Sequence, residues 1–264
     1  MTPEPLWAGP VHLLRADGPR TAVDNMALDE ALLRTAAEQG GAWVRIYAWD
    51  RPSVSFGRNQ RTLGFYHQDR CDALGVPTVR RLTGGRALLH GREVTYSVAA
   101  PTSRAPTLRG GYEAINSLLL DALRGLGVPA TRSAPATRTP SPGLAPCFET
   151  PSAGELVVNG RKLVGSAQHR EAGAFIQHGS ILLDDDQGVL SRLALVPLPP
   201  VPPPATLRAS LAAVTFPAVA AAIEAALRRV AAEPVIVLPD DAIAGHHVDA
   251  ARSRYRDPHW TWRR

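Results

Sequence analysis

The dipeptide Asn159-Gly160 limits how this 264-residue chain can fold more than any other feature. It stands between two β-prone runs, ELVV and RKLVGSAQ, and a two-residue type I′ turn needs positive φ at both central positions, which Asn and Gly adopt at least cost. The spacing predicts a hairpin with Lys162 near the start of the returning strand. A period of two then puts Lys162, Val164, Ser166 and Gln168 on one face and Leu163, Gly165 and Ala167 on the other.

The rest of the chain supplies partners for that hairpin. Met26, Ala27, Ala31, Leu32 and Ala36 recur at helical spacing and predict a packing helix over residues 22–39, with Asp24 as N-cap and Gly40-Gly41 as stop. Residues 43–49 and 53–57 read as strands broken at Arg51-Pro52, and residues 78–82 as another. Residues 92–99 alternate Val94, Tyr96 and Val98 with Glu93, Thr95 and Ser97, the pattern of a half-buried strand. A second amphipathic helix is expected over residues 111–126, and a strand over residues 174–183. Residues 131–146 are rich in Pro, Thr and Ser without periodicity, so a mobile loop is expected to run up to Cys147. Residues 196–206 (VPLPPVPPPAT) read as a stiff polyproline-like linker between a first domain, residues 1–195, and an extension, residues 207–264, packed against it. The extension holds an alanine-rich helix over residues 216–232 and a strand over residues 234–238. Strands and helices mix without a regular βαβ repeat, which predicts an α+β fold.

Composition removes several classes of function. No apolar run reaches the roughly 18 residues of a membrane span, and MTPEPLWAGP is not a basic region followed by an apolar core. A soluble cytoplasmic protein with no membrane partner is therefore expected. Two cysteines, Cys71 and Cys147, cannot build a disulfide framework. The net charge is +5, but the arginines are scattered, so no nucleic-acid partner is expected. There is no zinc-ligand spacing and no phosphate loop, and the run GLGVPA from Gly125 follows a helical pattern where a dinucleotide fingerprint would follow a strand. Of 29 cationic side chains, Lys162 is the sole lysine. Compositional drift accounts for that, and so does a need for a compact three-donor ammonium.

Chemistry gathers at a few places. Gly84-Gly85 joins two strands, either as a tight turn or as a backbone able to approach a ligand, and one of Arg80 and Arg81 should point into whatever that turn lines. Cys147 follows a proline at the end of the irregular stretch, and a nearby ammonium would enrich its thiolate. Cys71 sits in a short helical pattern and reads as packing. His90, His169 and His178 are candidate bases, while His67, His246, His247 and His259 lie in weaker surroundings. Gly179, inside a strand, marks a bulge or a close backbone approach.

Two blocks, TGGRALLHGREVTYSV (residues 83–98) and PCFETPSAGELVVNGRKLVGSAQHREAGAFIQHGSILLDDD (residues 146–186), resemble the biotin/lipoate protein ligase superfamily. Within it they are most similar to the cysteine-dependent octanoyltransferases that load octanoyl groups from acyl carrier protein onto the glycine-cleavage H protein. The resemblance implies an α+β catalytic domain with a mixed sheet flanked by helices. It implies Cys147 as nucleophile and Lys162 as the active-site lysine. Arg81, Gly84, Gly85, Arg86 and His90 would form one wall of the acyl pocket, and Gly165, Ser166, Ala167, Gln168, His178, Gly179 and Ser180 the other. Leu88, Leu89, Val164 and Ile176 are expected as apolar lining. Arg86 stands where adenylate-forming ligases have a third glycine, and the cysteine precedes the lysine; both features point to this branch. Passage from thioester to thioester to amide runs downhill, so no cofactor, ATP or metal is expected. The donor would be octanoyl-acyl carrier protein, and the acceptor the H protein or another lipoyl domain. The competing readings are an amidotransferase between lipoyl domains, an ATP-dependent lipoate ligase and a non-catalytic acyl-binding module.

Overall fold

The computed structural model describes residues 5–134, 154–198, 202–243 and 245–263, so Cys147 and most of the stretch expected to be a loop lie outside the described residues. From the N-terminus, β1 (Val11–Arg15) leads into α1 (Ala22–Gln39), β2 (Ala42–Tyr47) and β3 (Ser53–Phe56). Next come α2 (Gln68–Ala73), β4 (Thr78–Arg80), β5 (Leu88–His90), β6 (Glu93–Pro101), α3 (Leu108–Gly125) and β7 (Thr131–Arg132). The second half holds β8 (Leu156–Val158), β9 (Arg161–Lys162), β10 (Val164–Glu171), β11 (Ala174–Leu182) and α4 (Val189–Leu193). It ends with α5 (Phe216–Val230), β12 (Ile236–Pro239), α6 (Gly245–Arg256) and α7 (Pro258–Thr261).

The principal sheet is mixed, with strand order β10-β11-β6-β2-β1-β12. Only β1 runs parallel to its neighbours β2 and β12; the other pairings are antiparallel. One face packs on α3 and α5 through Val44, Val94, Val98, Ile115, Leu119 and Ile223. The other packs on α1 and α6 through Leu32, Trp43, Ala99, Val248 and Tyr255. Two three-stranded sheets, β4-β3-β5 and β7-β8-β9, flank this core. The α+β expectation holds in this form, and no helix among the described residues is long and apolar enough to cross a membrane.

Several local expectations change for identifiable reasons. The N-cap of α1 is Thr21, whose Oγ1 accepts from the Asp24 amide at 3.1 Å, so Asp24 lies inside the first turn. Thr131 and Arg132, read as loop, pair as β7 with Val157 and Leu156. The hairpin forms as expected, with φ of 50° at Asn159 and 72° at Gly160, but its returning strand breaks at Leu163. Lys162 pairs with Val157 in the small sheet, whereas Val164 pairs with Ile181 in the principal one. Leu163 and Val164 consequently enter the same core, which a strict alternation forbids. β6 is buried on both faces, not one. Its Glu93, Thr95 and Ser97 turn toward an internal polar network in place of solvent, and a period-two pattern does not separate those cases.

The proline-rich stretch ends in packed chain. The amides of Ala205 and Leu207 donate to Lys162 and Leu182 at 2.9 Å each, and both residues are buried. The C-terminal part supplies β12 to the principal sheet, and α6 packs along α1.

Candidate active site

A pocket opens where the Gly84-Gly85 turn faces β10 and β11 across α1. Its walls are mostly apolar surface, as is usual for small-molecule sites. Arg81, Gly85, Leu88 and His90 line one side, and Gly165, Ser166, Ala167, His178, Gly179 and Ser180 the other. The resemblance thus pointed to nine lining residues through its site list. It also pointed to three that do not line the pocket: Gly84, Arg86 and Gln168. The carbonyls of Gly84 and Arg86 instead hold the Arg81 guanidinium, at 2.8 and 2.9 Å, and the Gln168 amide donates to Gln177. Of the expected apolar walls Leu88 alone lines the pocket; Leu89, Val164 and Ile176 face three separate cores. Met26, Tyr47, Ser55 and Thr95 complete the lining without having been singled out. For Thr95 the signal was present, in the polar side of the alternation along β6.

The two arginines divide the work. Arg81 also donates to the carbonyl and hydroxyl oxygens of Ser55, at 3.0 and 2.9 Å, so its fork is engaged on protein oxygens that shape the turn. Arg80 is fully buried and donates to the carbonyls of Gly57, Gln60 and Thr261. Trp260 returns a bond to the Arg80 carbonyl at 2.7 Å, so α7 braces β4 beneath the turn. A Cβ on Gly57 would overlap the Gly85 carbonyl oxygen, which makes glycine necessary there by close approach. Gly179 is the matching case on β11: its register is continuous, with no bulge, and a Cβ there would overlap the Gly165 carbonyl oxygen and crowd the Tyr96 ring.

Two histidines reach the pocket, each backed by a carboxylate. His90 lies under Trp49, with ring centroids 3.8 Å apart. Its Nδ1 meets Glu93 Oε1 at 2.7 Å and its Nε2 meets Ser55 Oγ at 2.7 Å. Thr95 and Ser180 donate to the same Glu93 oxygen. His178 spans Asp29, at 2.8 Å, and Thr83 Oγ1, at 2.6 Å, which ties the Gly-Gly turn to β11. Burial alone would push the Asp29 carboxyl up, but His178, the Arg45 charge and the Ser97 hydroxyl outweigh it and hold the group below its ordinary value. His169 is on β10 outside the pocket, between Arg58 and Glu171.

The Asp29 shift fixes a sign. A carboxylate depressed by folding adds stability above its unfolded value, near 3.9, and that stability is lost as pH falls through the lower folded value. Asp29→Asn should therefore flatten the acid limb of stability below about pH 4, as read by urea midpoints across that range; an unchanged limb would place the acid sensitivity elsewhere.

Lys162 is buried, and its Nζ lies 2.8 Å from Glu155 Oε1, which is equally enclosed. The electrostatic influence of Glu155 extends to the Tyr96 phenol, held at about 12 by burial first and by this charge last, against bonds to Ser166 and Gln177 that lower it. Tyr96 in turn bonds the pocket-lining Ser166 at 2.8 Å. Neither Lys162 nor Glu155 lines the pocket; the pair sits on β9 and the segment before β8. Cys147, the expected nucleophile, lies outside the described residues. Cys71 is packed in the core near Phe56 and Val76, and burial pushes its thiol to about 11, which suits a structural thiol.

The model of the lipoyl protein ligase A/B catalytic domain matches residues 21–201. Octanoyltransferase LipM of an Exiguobacterium species is 42% identical over 188 residues, covering 68% of this chain and 68% of that protein. The Kyrpidia tusciae protein of the same name is 44% identical over 183 residues, 66% of each. A T. acidophilum protein solved with bound lipoic acid superposes with a TM-score of 0.76 at 18% identity, covering 97% of this chain and 99% of that one. Lipoate-protein ligase A bound with ATP gives 0.73 at 20% identity, covering 97% and 98%. Identities that low carry the fold alone.

Proposed function

The chain belongs to the lipoyl protein ligase A/B catalytic domain family, and we propose that it is an octanoyltransferase of lipoate biosynthesis that acts through a thioester on Cys147. Relatives at 42% and 44% identity bear that activity in their names. The observation that carries the reading to this chain is the mostly apolar pocket between the Gly-Gly turn and the GSAQ strand, with the sole lysine buried and charge-paired on β9, the strand that precedes it. Each carbon of the octanoyl tail that the pocket takes out of water would gain about 0.8 kcal/mol.

The reaction runs in two exchanges. Cys147 thiolate attacks the donor thioester carbonyl, the carbon–sulfur bond to the donor breaks, and the donor leaves as thiolate. The ε-amine of a lysine on a lipoyl-type acceptor then attacks the acyl-enzyme; an amide forms, the amine gives up one proton, and Cys147 thiolate is released. Lys162 serves as an ammonium beside Glu155, because a carboxylate in contact favours the charged form. Its positive charge favours the Cys147 thiolate and the oxyanion that develops on the carbonyl. We take an acyl carrier protein as donor and the glycine-cleavage H protein as acceptor; the basic chain suits acidic partners.

The test is transfer itself. Octanoyl-acyl carrier protein plus an H protein should yield octanoyl-lysine without ATP, and Cys147→Ala should yield none. Product from Cys147→Ala with free lipoate and ATP would favour a ligase instead.

A further inference from the structure

Most hydroxyls of the pocket have their protons committed inside the protein. Thr95 and Ser180 donate to Glu93, and Tyr47 donates to Asp29. Ser166 differs, and the direction of every bond behind it can be followed from one fixed point.

That point is the Gly154 carbonyl, which only accepts. Asn116 Nδ2 donates to it at 3.0 Å, which turns Asn116 Oδ1 toward Gln177 Nε2, 3.4 Å away. Gln177 then presents Nε2 to the Tyr96 oxygen at 2.9 Å, while its Oε1 accepts from Gln168 Nε2 at 2.9 Å. The Tyr96 oxygen accepts from Gln177, and the acceptor within reach of its own buried O–H among the described residues is Ser166 Oγ at 2.8 Å, so Tyr96 donates there. A phenol held at about 12 by burial keeps that proton throughout the neutral range. Ser166 is thereby made an acceptor toward Tyr96, and its own proton has no acceptor among the described residues while the side chain lines the pocket.

We propose that the Ser166 hydroxyl donates this proton, as a hydrogen bond, to the carbonyl oxygen of the bound acyl thioester, and stabilises the oxyanion in both half-reactions. The inference rests on the octanoyltransferase reading. As sulfur or amine bonds to the carbonyl carbon, the π pair moves onto oxygen; the Ser166 proton is shared with that oxygen and stays on Oγ. When the tetrahedral species collapses, the pair returns and the leaving thiolate departs. Tyr96 is a positioning residue that acts through Ser166.

The experiment follows the rate of octanoyl adduct formation, by intact mass, from a short octanoyl-pantetheine thioester. Ser166→Ala should slow adduct formation roughly 100- to 1,000-fold, with its half-saturating thioester concentration changed by less than threefold. Tyr96→Phe should cost less than Ser166→Ala, and Ser166→Ala/Tyr96→Phe should be no slower than Ser166→Ala alone. A structural role for Tyr96 would give losses that multiply. Ser166→Ala at the wild-type rate, or multiplying losses, would overturn the assignment while leaving the octanoyltransferase reading intact. Absence of any adduct on the wild-type protein would overturn both.

Discussion

Lys162→Met is expected to lower octanoyl transfer by roughly three orders of magnitude, the upper end of what loss of one charged donor to an oxyanion costs. Its partner makes the experiment informative. Lys162 and Glu155 are in contact at 2.8 Å and both are enclosed, and removing one member of such a pair leaves an uncompensated buried charge, at a cost of about 3–5 kcal/mol. Glu155→Gln alone should therefore lower both stability and turnover. The double variant Glu155→Gln/Lys162→Met removes both charges with side chains of similar volume, and should recover most of the stability while remaining inactive. Parallel thermal melts and transfer assays read the two quantities separately. Lys162→Arg keeps the charge but exchanges a compact ammonium for a planar fork, and it too should be inactive. Wild-type turnover by that variant would return the lone lysine to compositional drift.

Gly57→Ala should damage the pocket from outside its lining. The added Cβ would overlap the Gly85 carbonyl oxygen and stand 2.7 Å from the Gly85 carbonyl carbon and 3.1 Å from that of Gly84, all backbone atoms with no rotamer to escape through. The turn must move, and the Arg81 bonds to Gly84 and Arg86 move with it. Overpacking of this kind costs about 1–3 kcal/mol. The loss of transfer should exceed what that destabilisation alone implies, because the displaced segment is a wall of the pocket. Gly84→Ala provides the contrast for stability: nothing lies within 4 Å of its Cβ and its φ is ordinary, so its melting temperature should stay near wild type. Equal melting temperatures for the two variants would contradict the close approach at Gly57.

The parts of this site that could be read from the chain are those where one residue type answers a backbone demand. Asn159-Gly160 adopts positive φ at both positions and sets Lys162 on the returning strand, and Gly85, at φ 95°, forms the turn against the pocket. What stayed hidden depends on partners distant in sequence. Asp29, Glu93 and Glu155 back His178, His90 and Lys162, yet nothing local distinguishes a buried carboxylate from a solvated one. Glu93, Thr95 and Ser97 look like a solvent-facing stripe because the pattern reports polarity and not what the polar side meets. The break at Leu163 has the same origin. Two sheets compete for one strand, and only tertiary pairing decides where it passes from one to the other. The bracing of β4 by Trp260 and Thr261 likewise joins residues some 180 positions apart.

The most direct measurement is the intact mass of the protein after incubation with octanoyl-acyl carrier protein, followed by peptide mapping. The account predicts one octanoyl group on Cys147, none on the buried Cys71, none on Cys147→Ala, and discharge of the adduct on adding a lipoyl-type acceptor domain. A wild-type protein that stays unmodified while still octanoylating the acceptor would contradict the thioester route and with it the central claim.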